Sequence, residues 1–263
     1  MENINKVIQH YKMNERENFE KTVVDHLNNK ASLIKLLNNK CVRFFEIADE
    51  LKNDRELSLL AVKKDGTNFK YINSEFQKDR EIIVAAIKYR HADFDYIHKH
   101  IPSEILNERE IAEYILKHGF DTLKYLDPNY ADDKDLLLKL KVVALESMSE
   151  RLKKDREIVL YCVSELGNKL QFASTDLQDD YDVVLTAVKN EGNALKYASE
   201  RLRTDPKIVK AAIRNEWDAA SHMSDEARSN KDIILYAIKK DFNNLEYASP
   251  ELQEYYTKNP INW

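Results

Sequence analysis

Six cations recur at one position of a repeated helical pattern: Lys63, Lys88, Lys117, Lys189, Arg214 and Lys239. Such a column can meet an acidic protein surface or a phosphate backbone. It has a second use, because a cation in the last turn of a helix complements the negative end of the dipole. Three of the seven histidines, His91, His98 and His100, fall in the stretch Tyr89-Arg-His-Ala-Asp-Phe-Asp-Tyr-Ile-His-Lys-His-Ile-Pro-Ser103. Helical metal ligands converge at i and i+4, and His98-Lys-His100 has neither that spacing nor a paired motif. Metal binding is therefore not expected, and Tyr89, Arg90, His98 and His100 are read instead as a lengthened turn used in recognition or as a tolerated insertion. Cys41 lacks the charge-defined pocket that would activate a thiolate, and Cys162 stands at a small-residue position shared with Ala61, Ala86, Ala187, Ala212 and Ala237. Acid pairs such as Asp132-Asp133 and Asp179-Asp180 could divide acid and base roles. They lie at junctions between repeats, however, where helix N-caps are needed. The chain contains no GxxxxGK[ST], GxGxxG, HExxH, GxSxG or CxxC. No catalytic residue, cofactor or metal is expected.

The elements that would carry these residues follow from the composition. Four Gly and five Pro in 263 residues, with 33% charged residues, leave too few turn formers for hairpins, sandwiches, barrels or doubly wound sheets. Helices remain. The 41 Lys and Arg against 46 Asp and Glu give a net charge of −5. No block of five like charges breaks the mixture, which disfavours a general polyanion binder while leaving a local basic stripe open. Two cysteines far apart suit a reducing compartment. Met1–Tyr11 lacks the apolar stretch of a leader, and no apolar run approaches a membrane span. A cytoplasmic protein with no membrane partner is the expectation.

Self-comparison organises the whole chain. Segments beginning at Asp155, Asp180, Asp205 and Asn230 follow one another at 25 residues, and Asp54 and Asp79 keep the same interval. Glu108 follows after 29 residues, Asp133 after 25, and Asp155 after only 22. A fainter unit starts at Asn29. Each start is an N-cap, and acids at the third position (Glu56, Glu81, Glu110, Asp135, Glu157, Asp182, Asp232) favour the positive end of the helix. Apolar residues at the fourth, fifth, eighth and ninth places, such as Ile158, Val159, Cys162 and Val163, define one buried face. Gly66, Gly167 and Gly192 lie twelve residues past their caps and Gly119 eleven past Glu108, which predicts a left-handed residue ending each helix. A shorter helical piece then carries Leu, an aromatic, Ala and Leu, as in Leu195, Tyr197, Ala198 and Leu202. Trp217 takes the glycine's place in one unit, where Ala220 replaces the Leu. It reads as filling the space of the missing Leu, or else as an exposed binding anchor.

Units this small cannot bury their own apolar faces, so the expected fold is all-α: an α-solenoid, or superhelix, of about nine helical hairpins stacked on one another. Residues 1–28 are read as an N-terminal helical cap, 29–254 as the solenoid and 255–263 as a C-terminal cap or tail.

The string Asp180-Tyr-Asp-Val-Val-Leu-Thr-Ala-Val-Lys-Asn-Glu-Gly-Asn-Ala-Leu-Lys-Tyr-Ala-Ser-Glu-Arg-Leu-Arg-Thr204 resembles the repeat of the domain-of-unknown-function 4116 family. The resemblance is strong across 155–254, fair across 54–101 and weak across 29–53 and 133–154. It implies a helical-repeat scaffold that binds macromolecules; the expectation drawn from the whole chain is a non-catalytic, monomeric scaffold that binds a protein partner along one face. Such repeats occur in bacterial and phage-related proteins, some of them delivered into host cells, so an effector or inhibitor role is among its implications. The alternative is a nucleic-acid binder, or a mimic that inhibits a nucleic-acid-processing complex. The motif consists of caps, core positions and a helix-ending Gly, and carries over no catalytic residue. The partner-binding candidates are the six-cation column with Tyr89, Arg90, His98, His100 and Trp217.

Overall fold

A computed structural model describes residues 30, 34, 44–46, 52–88, 94–118 and 122–259. The expected cap at 1–28, Cys41, Tyr89, Arg90, His91, Gly119 and the tail beyond Asn259 lie outside them. The chain divides into two compact parts, 1–125 and 126–263. Helices and turns make up the described residues, with no β-strand among them.

The unit-start helices begin where the caps predict. In the first part they are α1 (Arg55–Lys64), α2 (Arg80–Lys88) and α3 (Arg109–His118). In the second they are α4 (Lys134–Lys139), α5 (Arg156–Glu165), α6 (Tyr181–Asn190), α7 (Pro206–Asn215) and α8 (Lys231–Lys240), and α9 (Pro250–Lys258) follows as the second-half piece of the last unit. Asp54, Asp155, Asp180, Asp205 and Asn230 each accept hydrogen bonds from the backbone N–H groups two and three residues on, satisfying donors the helix leaves orphaned. Within each part the helices stack in chain order, α1 on α2 and α2 on α3, then α5 on α6, α6 on α7 and α7 on α8. The fold is an all-α repeat solenoid. Its core is the predicted face: Ile158, Val159, Cys162 and Val163 are fully buried, as are Val183, Val184, Ala187 and Val188 and their equivalents in α7 and α8.

The predicted left-handed glycines are not there. No described glycine has positive φ. Each long helix of 55–64, 156–165, 181–190, 206–215 and 231–240 stops because the next residue (Asp65, Leu166, Glu191, Glu216 or Asp241) turns extended, its N–H still bonded to the carbonyl four back. A 3-10 helix of six residues then starts at the glycine position: Gly66–Tyr71, Gly167–Phe172, Gly192–Tyr197, Trp217–His222 and Phe242–Tyr247. Glycine is used for space. A Cβ on Gly192 would stand 2.5 Å from the Ala212 carbonyl oxygen and 2.9 Å from Glu216 Cβ, and one on Gly167 would stand 2.5 Å from the Ala187 oxygen. The 3-10 turn of one unit thus lies directly against the helix end of the next.

Irregular spacings have local causes. In the 22-residue unit, α4 is cut to six residues by Lys141, the described non-glycine residue with a left-handed φ (59°), while Val142 N–H returns to the Leu137 carbonyl at 2.9 Å. In the 29-residue unit, a seven-residue α-helix, Phe94–His100, replaces the 3-10 turn and is pinned by buried Ile97 and Ile101. The C-terminal boundary expected at 254/255 falls inside α9, because Tyr255 stands where a new unit would have its capping Asp or Asn, and the helix runs on.

Candidate functional site

Much of the polar chemistry in the chain joins one repeat to the next. Where the first residue of a helix is Arg55, Arg80, Lys134 or Arg156, it reaches acids at the start of the next unit. Arg55 donates to Asp79 at 2.7 Å and Glu81 at 2.9 Å, Arg156 to Asp180 at 2.9 Å and Asp182 at 2.7 Å, Lys134 to Asp155 and Glu157 at 2.8 Å each, and Arg80 to Glu108 at 2.6 Å. The Arg55 guanidinium beside Asp79, and Arg156 beside Asp180, hold those carboxyls below the usual carboxylate range. Burial works upward on Asp155 but is outweighed by Lys134 and the N–H groups of Ile158 and Glu157, so its carboxyl also titrates low. Asp79, Asp155 and Asp180 are therefore capping and bridging groups at once, and in the acid pairs Asp132 and Asp179 receive Arg151 and Arg201 at 3.0 Å each.

A second set of bonds closes the gap beside the glycines. Gly167 N–H donates to Asn190 Oδ1 at 2.8 Å and Asn168 N–H to Glu191 Oε2 at 3.0 Å, while the Asn190 amide donates back to the Ser164 carbonyl. Gly192, Asn193, Asn215, Glu216 and Lys189 repeat the arrangement one unit later. Backbone rungs complete it: the N–H of Ser149, Ser174, Ser199 and Ser249 reaches Ala131, Lys153, Gln178 and Arg228 carbonyls at 2.9 Å each. These roles of Asn190, Asn215, Glu191 and Glu216 are not among the expectations drawn from the sequence. Their signal is the adjacent Asn-Glu pair recurring at 25 residues.

The column of cations divides. Lys63 and Lys88 pair with the third-position acids Glu81 (3.6 Å) and Glu110 (2.9 Å) of the following unit, and so belong to the stacking bonds. Lys117, Lys189 and Lys239 are exposed and make no ion pair or hydrogen bond through their side chains among the described residues, and Arg214 Nε approaches Tyr236 Oη at 3.4 Å. His98 and His100 do not converge. Each ring nitrogen Nδ1 is bonded to the carbonyl four residues back, and the rings stack on Tyr125 and Tyr96 at 3.7 and 3.8 Å. Among the described residues no three His, Cys, Asp or Glu side chains are grouped as a metal would need.

Trp217 does not fill the space of the missing Leu. It is 50% exposed beside Phe242, itself 59% exposed at the equivalent position of the last unit, and Ala220 is fully buried without it. Burial pushes the Cys162 thiol up to about 12, so it holds no thiolate at neutral pH. Site-resolved labelling with iodoacetamide at pH 8 is accordingly expected to leave the Cys162 peptide unmodified until urea is added. Modification of the native protein within minutes would contradict this burial.

No described helix is long and apolar enough to cross a membrane. The model of a family described as a domain of unknown function, DUF4116, matches six times, over 33–76, 54–101, 133–178, 155–203, 180–226 and 205–253. Matches overlap by about one repeat within 33–101 and within 133–253; 102–132 lies outside them, whereas most of the expanded stretch 89–103 falls inside the second match. No curated protein and no solved structure matches the chain.

Proposed function

Since the chain belongs to the DUF4116 repeat family, whose model covers more than half of it, we propose that it is a non-catalytic scaffold that holds a protein partner along the solvent face of residues 126–263. The observation that carries this reading is the row Lys189, Arg214 and Lys239. These cations end α6, α7 and α8, one per stacked helix, so they stand in line at intervals of about 10 Å, the usual spacing of packed helices. Unlike Lys63 and Lys88, they are not engaged with the acids of a neighbouring repeat. A non-catalytic role agrees with the described carboxylates at the junctions, which cap helices and bridge repeats, and with a cysteine buried as a thiol.

The test is affinity capture from the source cells with the wild-type chain and with the triple variant K189E/R214E/K239E. Capture of the partner is expected to fall at least about tenfold in the variant, as for reversed charges at an electrostatic interface, with far-UV circular dichroism unchanged. Equal capture by both forms would sink the reading. Captured material that disappears on nuclease treatment would sink it too, in favour of nucleic acid.

A further inference from the structure

Three departures from the repeat pattern add positive charge to the same pair of helices. At the third position, Glu157, Asp182 and Asp232 are acids where α7 has Lys207. At the sixth, Leu160, Leu185 and Leu235 are apolar where α7 has Lys210. At the eleventh, Asn190 and Asn215 bridge to the preceding unit where α8 has Lys240. Lys240 therefore leaves a structural bond unmade and joins the solvent side instead.

These lysines gather around one tyrosine. Lys210 Nζ lies 5.7 Å and Lys240 Nζ 5.9 Å from the ring centre of Tyr236, and Arg214 Nε stands 3.4 Å from its hydroxyl oxygen. One carboxylate, Asp232, answers them through Lys210, whose side chain is only 25% exposed. Three cations thus gather at Tyr236 against one paired carboxylate, and α7 and α8 together carry six cations and a single acid, Asp232, in a protein whose net charge is −5. Tyr161, at the same repeat position in α5, stands instead near Glu165, and Thr186 and Ala211 occupy it in α6 and α7. The cluster belongs to the α7–α8 step and is not a property of the repeat.

The geometry points to a seat for a short acidic segment of a protein partner, with carboxylates received by Arg214, Lys210 and Lys240 over the Tyr236 ring. A guanidinium fork and flanking ammonium groups suit carboxylates, and a tyrosine held by cations is a preorganised anchor. The extent of the cluster selects the partner class. It spans one step between helices, and at the position of Lys207, α6 and α5 carry Asp182 and Glu157, paired with Arg156 and Lys134, so a nucleic acid laid along the stack would meet no cation at that position beyond it. A peptide with a few acidic residues does not extend that far. The assignment rests on the scaffold reading above and names the chemistry of its partner.

Fluorescence anisotropy with the full chain tests it, using a short fluorescein-labelled peptide rich in Glu and Asp, its Lys-substituted counterpart, and an oligothymidylate of equal charge. The acidic peptide alone is expected to bind. K210A/K240A should weaken it at least about tenfold and Y236A about threefold, while K196A/K258A, the same charge change elsewhere, stays within about twofold. Oligothymidylate binding as tightly as the peptide, or K210A/K240A binding like wild type, would overturn the seat. These variants leave Lys189, Arg214 and Lys239 intact. If the seat fails while K189E/R214E/K239E still loses its captured partner, only the acidic-segment assignment falls. If capture is indifferent to that row, the scaffold reading falls.

Discussion

Gly192→Ala is expected to destabilise the fold by about 3 kcal/mol, at the upper end of what overpacking costs, and Gly192→Asn by more. The added Cβ would meet the Ala212 carbonyl oxygen at 2.5 Å and the Glu216 backbone nitrogen at 3.0 Å, both main-chain atoms of the next unit that have no rotamer to change. To admit it, α7 must draw back from the 3-10 turn. That movement also strains the bonds from Gly192 to Asn215 (2.9 Å) and Asn193 to Glu216 (2.8 Å), each worth about 1 kcal/mol net. The Asn variant separates two physical accounts. Were the glycine needed for a left-handed φ, Asn would be the better tolerated of the two. Because the requirement is room, the larger side chain is expected to be the worse. Urea unfolding followed by far-UV circular dichroism reads the difference, and an Asn variant more stable than the Ala variant would overturn the packing account. Trp217→Ala provides the contrast, expected to change stability by less than about 1 kcal/mol, since the side chain is half exposed and its N–H has no Asn from the next unit to meet, Lys240 standing at that position.

The glycines also show where sequence reading stopped. The 25-residue period, the caps and the buried face were legible because each rests on one physical rule with one outcome. An Asp before an apolar run caps a helix, and positions four, five, eight and nine share a side. A glycine after a helix has two distinct uses, left-handed backbone and absent Cβ, and one chain cannot tell them apart. The stacking bonds were hidden for another reason. Arg55 and Asp79, or Asn190 and Gly167, are 24 and 23 residues apart, a distance that means contact only once the stacking direction is known. Reading the basic column as a set also obscured its division. Lys63 and Lys88 have acids within reach in the following unit, whereas Lys189 and Lys239 do not. The Tyr236 cluster could be seen in the sequence only as deviations from the repeat, and deviations acquire a shared location when the helices that bear them are placed side by side.

The junction aspartates make the second strong prediction, because one carboxylate serves two units. Asp180 accepts from the N–H groups of Asp182 and Val183 at 3.0 Å each and from the Arg156 side chain at 2.9 Å. Asp180→Ala removes both functions and is expected to cost about 2 kcal/mol, mostly from the cap, since the ion pair is partly exposed and worth less than about 1 kcal/mol. Asp180→Asn keeps the cap, as Asn230 does at the same position of α8, and loses only the pair. It is expected to cost well under about 1 kcal/mol at neutral pH. Acid then distinguishes charge from cap. The Asp54, Asp79, Asp155 and Asp180 carboxyls all titrate below their ordinary value of 3.8 in the folded chain. A depressed carboxyl contributes stability that is fully present above the unfolded value and is lost as pH falls through the folded one. The urea midpoint of the wild type should therefore be nearly level from about pH 7 to about pH 5 and decline below about pH 4 as protonated caps release their bridging cations. Asp180→Asn cannot take up that proton, so its deficit against wild type should shrink as the acid limb is descended, whereas the deficit of Asp180→Ala should persist because its missing cap is not a matter of charge. A deficit of Asp180→Asn that stays constant from neutral pH into the acid limb would show that the Arg156 pair contributes nothing to holding one repeat against the next.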